Sequence, residues 1–177
     1  MQEELLQVYD ESGNVIEPLP RSVVHERPVK HWHGVVNVWL VNKSGDLMVS
    51  KRALNVGGNP GKWQTYFGGH VPAGKSHLET VAKELSEEVG LNIDLMKINL
   101  IGKGKAKNED HLHFYESYAY LFNGNPEDLK FTDGEVVEAK WMSMDEYEHA
   151  LTEQPEQWCN GCNKKNQELI KEWLKQL

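Results

Sequence analysis

Apolar and polar positions alternate in short runs up to residue 67, and apolar residues spaced three or four apart become common only beyond it. Leu5 to Tyr9 and Asn14 to Ile16, on either side of Asp10-Glu-Ser-Gly13, predict two short strands about a turn, a hairpin. Prolines at 18, 20 and 28 then interrupt the pattern. His33 to Asn42 reads as a buried strand, Lys43-Ser-Gly-Asp46 as a turn and Leu47 to Arg52 as the partner strand. From Ala53 to Lys62 the chain is rich in Gly, Asn and Pro, the composition of a surface loop able to cover a site, and Trp63 to Phe67 is extended again. Ser76 offers an N-cap, and Leu78, Val81, Ala82, Leu85 and Val89 recur at helical spacing before Gly90, predicting a helix over 77–89. Strands are expected at Ile93–Gly102, His113–Phe122 and Val136–Met142, and helices at Met144–Leu151 and Lys164–Leu177. Mixed β and α elements in this order predict an α/β (α+β mixed sheet) fold with helices flanking one sheet.

No repeat, low-complexity tract or linker divides the chain, so a single domain over residues 1–177 is expected, with a hairpin and extension in 1–30 and a C-terminal helix in 152–177. That length buries a core without staples. Hydrophobic residues make up 39%, with six Trp, six Tyr and four Phe, which excludes a disordered chain. The only cysteines, Cys159 and Cys162, are spaced C-x-x-C and cannot supply four zinc ligands. They read as reduced thiols in a turn, with a redox pair, or a half-site completed by His149 or a second chain, as the alternatives. The most apolar run, Val35 to Val41, is too short to span a membrane, and the acidic start Met1-Gln-Glu-Glu is unlike a secretory signal, so a cytoplasmic protein is expected. Lys and Arg total 19 against 27 Asp and Glu, a formal charge of −8, which argues against long nucleic acids and anionic membranes as partners. Oligomeric state is left open, a homodimer included.

Chemistry concentrates in residues 68–91, a glycine loop, a capped helix and a second glycine turn. At 100° per residue Glu84, Glu87 and Glu88 fall within one arc of about 100°, while Leu78, Val81, Leu85 and Val89 form the stripe that packs on the sheet. The acids are therefore expected to project away from the core beside Gly68 and Gly69. Three carboxylates at i, i+3 and i+4 repel one another unless a cation neutralises them, and hard oxygen donors suit Mg²⁺ or Mn²⁺.

The segment resembles the Nudix hydrolase signature G-x5-E-x7-R-E-U-x-E-E-x-G-U, where U is aliphatic: Gly69, Glu84, Leu85, Glu87, Glu88, Gly90 and Leu91 match at the right spacing. Two positions differ, Lys75 standing for Glu and Lys83 for Arg. An ion pair that braces the loop in the family cannot form between two lysines, and Lys83 lacks the two-pronged guanidinium. Over about residues 4–150 the chain further resembles the Nudix branch related to isopentenyl-diphosphate isomerase, through Pro20-Arg21 with Val24-His25, Trp32-His33, Val38-Trp39, Lys51-Arg52 and Pro60-Gly-Lys-Trp63. The isomerase carries an essential cysteine two residues before the histidine of the box. Here His70 is kept and that position is Gly68, which disfavours isomerisation. The branch collects metal with histidines; His33 and His70 match two of these positions, and His25 is offset by one residue from a third.

The resemblance implies a Nudix-type α/β/α sandwich with an N-terminal β-hairpin extension, its box at 68–91. It implies a hydrolase acting on acid anhydrides, which cleaves a pyrophosphate linkage in a small molecule such as a nucleoside diphosphate derivative. The implied metal ligands are Glu84, Glu87, Glu88, Gly69, His70 and His33. Glu87, Glu88, Glu116 and Glu135 are candidate bases, with Glu84 also in the catalytic set, and Arg52, Lys51, Gly68, Gly69 and Lys83 are the groups expected to meet substrate. Trp63, Tyr66 and Phe67 could stack on a base or line an apolar pocket, or belong to the core. Two other readings stay open: an isomerase of isoprenoid diphosphates, and a non-catalytic module that senses a nucleotide.

Overall fold

A computed structural model describes residues 3–177. The elements in chain order are β1 (Leu5–Tyr9), β2 (Val15–Pro20), α1 (Arg21–Val24), β3 (Trp32–Val41), β4 (Leu47–Arg52), β5 (Trp63–Gln64), α2 (His77–Val89), β6 (Asn99–Lys107), β7 (Leu112–Leu121), β8 (Val136–Met142), α3 (Met144–Glu153) and α4 (Lys164–Leu174). The eight strands form one mixed sheet. β3 is its axis. Along one edge β3 pairs in parallel with β7 from His33 opposite His113 to Val41 opposite Leu121, and β6 lies antiparallel outside β7. The other edge of β3 is shared by β1 at one end and β4 at the other, both antiparallel, and β8 runs along β4.

Successive residues of a strand point to opposite faces, and β3 and β4 are apolar on both, as a sheet covered on each side requires. Val36, Val38, Leu40 and Met48 pack with Val81, Leu85 and Val89 of α2. Trp39, Val41, Leu47 and Val49 pack on the other face with Tyr147 of α3 and with Ile170 and Trp173 of α4. The result is the expected α/β/α sandwich. Between β5 and α2, residues 67–71 lie against β3, with Val36 N–H donating to Gly69 O (2.9 Å), Val38 N–H to Phe67 O (2.8 Å) and Val71 N–H to Gly34 O (2.9 Å).

The N-terminal hairpin forms as expected, though Met1 and Gln2 lie outside the described residues. β2 runs on through Pro18 to Pro20, because it is the sheet's outermost strand and a proline there costs no ladder hydrogen bond. Ile93–Gly102 is a correction. Asp94 caps a single 3-10 turn at Leu95–Lys97, and the strand covers Asn99–Lys107, where Lys103, Lys105 and Lys107 alternate with small residues. Apolar patterning misses a strand whose alternation is charge against glycine and alanine. α4 ends at Leu174, three residues earlier than expected. Cys159 and Cys162 are buried free thiols in the turn before α4, and burial pushes the Cys159 thiol up to about 11, against a redox role. Among the described residues no helix is long and apolar enough to cross a membrane.

Because Leu85 is fully buried between α2 and the sheet, Leu85→Ala is expected to lower unfolding stability by about 2–5 kcal/mol, read from urea denaturation midpoints.

Candidate active site

α2 begins with a reciprocal cap, in which Ser76 Oγ accepts from Glu79 N–H (3.2 Å) while Ser76 N–H donates to Glu79 Oε2 (2.9 Å). Gly90, in the left-handed region at φ 67°, ends it. With both ends set and the apolar stripe docked, the direction in which each acid leaves the helix is fixed. They do not all project into solvent, which corrects the sequence expectation. On the helix wheel Glu88 lies only about 20° from Val81, so the acidic arc adjoins the apolar stripe and its near edge is dragged under the helix. Glu88 is 5% exposed and the Glu84 side chain 14%, against 54% for Glu87.

The glycine loop is shaped to admit them. A Cβ on Gly69 would stand 2.7 Å from the Glu84 carboxyl carbon, so only glycine lets that carboxylate lie on the strand. Gly68 N–H donates to Glu88 Oε1 at 3.5 Å, a long hydrogen bond, and Glu88 Oε2 is buried without any partner. Burial, reinforced by the Glu84 charge and by Asp133 and Glu135 further off, pushes the Glu88 carboxyl well above the usual range. Burial also raises Glu84, against the pull of Lys83. Lys83 Nζ sits 3.2 Å from Glu84 Oε1 and 2.8 Å from Glu87 Oε2, so it clamps two carboxylates. Lys75 turns instead to Glu79, at 3.2 Å. An orphaned buried carboxylate oxygen among other acids fits a hard divalent cation.

Arg52 ends β4 near this cluster. Its Nε donates to Gly58 O (2.8 Å), its NH1 to Gln64 Oε1 (3.3 Å), and its NH2 lies 3.5 Å from Glu135 Oε2. It thereby ties the 53–62 loop, and Ala53 N–H donates to Glu135 O (2.8 Å). Lys51 stands over the Trp63 ring at 5.6 Å, with Lys140 over the same ring at 4.5 Å. Phe67 is core and Tyr66 is half-buried against the second core, its hydroxyl raised by burial, so neither is an open stacking platform. Glu116 falls elsewhere. On β7, opposite Val36, it accepts a hydrogen bond from Tyr118 Oη and lies 4.0 Å from His77 Nδ1, two turns before Glu84 on α2.

A second cluster is built from nitrogen. One ring nitrogen from each of His25, His33 and His70 lies within 4.8 Å of the others, and His25 Nε2 is 3.0 Å from His70 Nε2. His25, one residue out of step in sequence, is brought in by the turn of α1. His113 is added by the β3–β7 register, its ring 6.0 Å from that of His33, and His111 follows at 5.7 Å. Sequence reading left out His111 and His113, although an i, i+2 pair of histidines leading into an extended segment was open to notice. Burial is the main cause that brings His33 and His113 down to about 4 and His70 to about 2, leaving neutral imidazoles, the metal-binding form. Gly68, where the isomerase has cysteine, is at φ 150°, and a Cβ there would collide with the Val36 carbonyl oxygen.

This arrangement is that of a Nudix protein. The NUDIX domain family matches residues 31–159, and the chain belongs to that family. It is 30% identical over 155 residues, covering 82% of this chain and 73% of the other, to an uncharacterized Nudix hydrolase of Clostridium acetobutylicum. It is 26% identical over 160 residues to an isopentenyl-diphosphate Delta-isomerase of Brevibacterium linens, covering 86% of this chain and 84% of that one. The fold matches the crystal structure of DR0079 from Deinococcus radiodurans with a TM-score of 0.72 at 20% identity, over 96% of this chain and 98% of that one. Nudix hydrolases act on pyrophosphate bonds.

Between about pH 6.5 and 4 the unfolded chain takes up protons that His33 in the folded state refuses, so its contribution to stability is complete above 6.5 and lost as pH falls. His33→Asn is expected to flatten the decline of the urea midpoint over that window, measured without metal.

Proposed function

We propose that this chain is a divalent-metal-dependent hydrolase that cleaves the diphosphate linkage of a small substrate, a nucleoside diphosphate derivative. The observation that carries the reading is the unpartnered Glu88 Oε2, buried beside Glu84 where Gly68 and Gly69 admit both carboxylates. Glu84, Glu87 and Glu88 would hold Mg²⁺ or Mn²⁺, with Gly69 contributing at the strand. Such an ion supplies charge neutralisation on phosphate oxygens and a more acidic bound water. The chain's own residues do the rest. Glu87, half in solvent, and Glu135, beside Arg52, are proposed as the carboxylates that take a proton from attacking water, a role their exposure supports. Arg52 offers the guanidinium for the substrate phosphate, whereas Lys51, over the Trp63 ring, is turned to the opposite face of the sheet and is not proposed to meet it. Glu116, tied to Tyr118 and His77, is not proposed as the base. His33 and His70, joined by His25, form a separate nitrogen-donor site suited to Mn²⁺ or Zn²⁺ rather than Mg²⁺.

The Lys83 clamp favours one competing reading, a nucleotide-binding module without turnover, because it already neutralises two of the carboxylates a metal needs. The isomerase reading is weakened by Gly68, whose backbone has no room for the cysteine that chemistry requires. Phosphate and monophosphate release over nucleotide sugars, dinucleotides and nucleoside triphosphates, with Mg²⁺ and Mn²⁺, separates these. Hydrolysis is expected for at least one diphosphate derivative; binding without turnover across the panel overturns the enzyme reading. Glu88→Gln and Glu87→Gln are each expected to lower turnover by on the order of 100-fold or more with folding intact, and unchanged rates in both would sink the carboxylate site.

A further inference from the structure

On the α2 face of the sheet, where the β1–β2 turn reaches β6 and β7, lies a cavity of about 430 Å³ that the carboxylate cluster does not account for. That volume is typical of a small-molecule pocket, and the lining combines the aromatic rings of Tyr9, Phe114 and Tyr115 with the polar groups of His77 and Glu116. Tyr9 and Phe114 face each other edge-on, ring centres 5.5 Å apart. His77 presents a buried Nε2 that has no hydrogen-bond partner. Glu116 spends Oε2 on Tyr118 and His77, and among the described residues its Oε1 accepts no hydrogen bond. Lys105 is committed to Glu11 O (3.2 Å) and to the Trp32 ring, which leaves exposed Lys103, opposite Glu116 in the β6–β7 register, as the cation at the cavity.

We propose that this cavity is the specificity subsite for the nucleoside half of the substrate, and that it prefers a base carrying an exocyclic amino group. The proposal rests on the diphosphate-hydrolase reading. The ring of the base lies against Tyr9 and Phe114, its amino group donates to Glu116 Oε1, a neighbouring ring atom meets His77 Nε2, and the sugar and phosphates run along α2 toward Glu84. Placement on α2 supports this division of the ligand. His77 and Glu84 are seven residues apart, hence about 20° apart around the helix and about 10 Å along it, a distance a nucleoside diphosphate can bridge. An orphaned imidazole nitrogen and an orphaned carboxylate oxygen, side by side in a cavity, are the groups a base edge satisfies.

The test is equilibrium binding by calorimetry to the full-length protein in EDTA, with CMP, AMP, GMP, UMP and inorganic phosphate as probes. The amino-bearing monophosphates are expected to bind about tenfold or more tighter than UMP or phosphate, Phe114→Ala to weaken all nucleotides about tenfold, and Glu116→Ala to abolish the preference over UMP. Glu88→Gln, which disables the carboxylate cluster, should retain this binding. No monophosphate binding without metal, or unchanged binding by the Phe114→Ala and Glu116→Ala proteins, overturns the proposal. If the protein hydrolyses nothing but binds in this pattern, the subsite stands and the hydrolase reading falls.

Discussion

Two carboxylates are held where water cannot solvate them, and the rest of the site follows from that. Glu84 and Glu88 are carried under α2 by the same helix that Val81, Leu85 and Val89 dock against the sheet. The 67–71 segment, fixed to β3 by backbone hydrogen bonds, presents two glycines at the point where side chains would otherwise exclude them. Burying a carboxylate with an unpartnered oxygen costs free energy that apolar packing must offset. The divalent cation proposed for this site would remove that cost.

Lysine at positions 75 and 83 changes how the cost is managed. Lys75 reinforces the helix cap through Glu79 and has no part in the carboxylate cluster. Lys83 takes over neutralisation as a point charge between Glu84 and Glu87, leaving Glu88 Oε2 buried with no partner among the described residues. The sheet also divides donors by chemistry. Oxygen donors gather at the helix flank, while His33 shares the side of β3 that carries Trp39, away from α2, where His25, His70 and His113 join it. Hard and borderline ions would sort between the two clusters by ligand type.

Much of this was legible in advance because periodicity reports burial. Helix α2, its cap and its stop follow from Ser76, the apolar spacing and Gly90, and the acids of the box follow from their spacing. The hairpin, β3, β4, β7 and β8 came from alternation or short apolar runs. β6 was expected six residues too early, at Ile93–Gly102, because Lys103, Lys105 and Lys107 alternate with glycine and alanine and carry no apolar signal. The burial of Glu88 was missed for a geometric reason: a wheel gives angles, and only the depth of the docked stripe tells how far an adjoining residue sinks.

The chain by itself determined which residues could do chemistry and roughly which elements bear them, since spacing along a helix or strand decides which side chains share a face. Tertiary structure decided which of those faces meet. It joined His25, His33, His70 and His113 from four separate segments, set Arg52 against Glu135, and drew Glu116 away to His77 and the cavity beside Tyr9 and Phe114. Such meetings depend on strand register and helix docking, long-range pairings that local patterns of hydrophobicity do not encode.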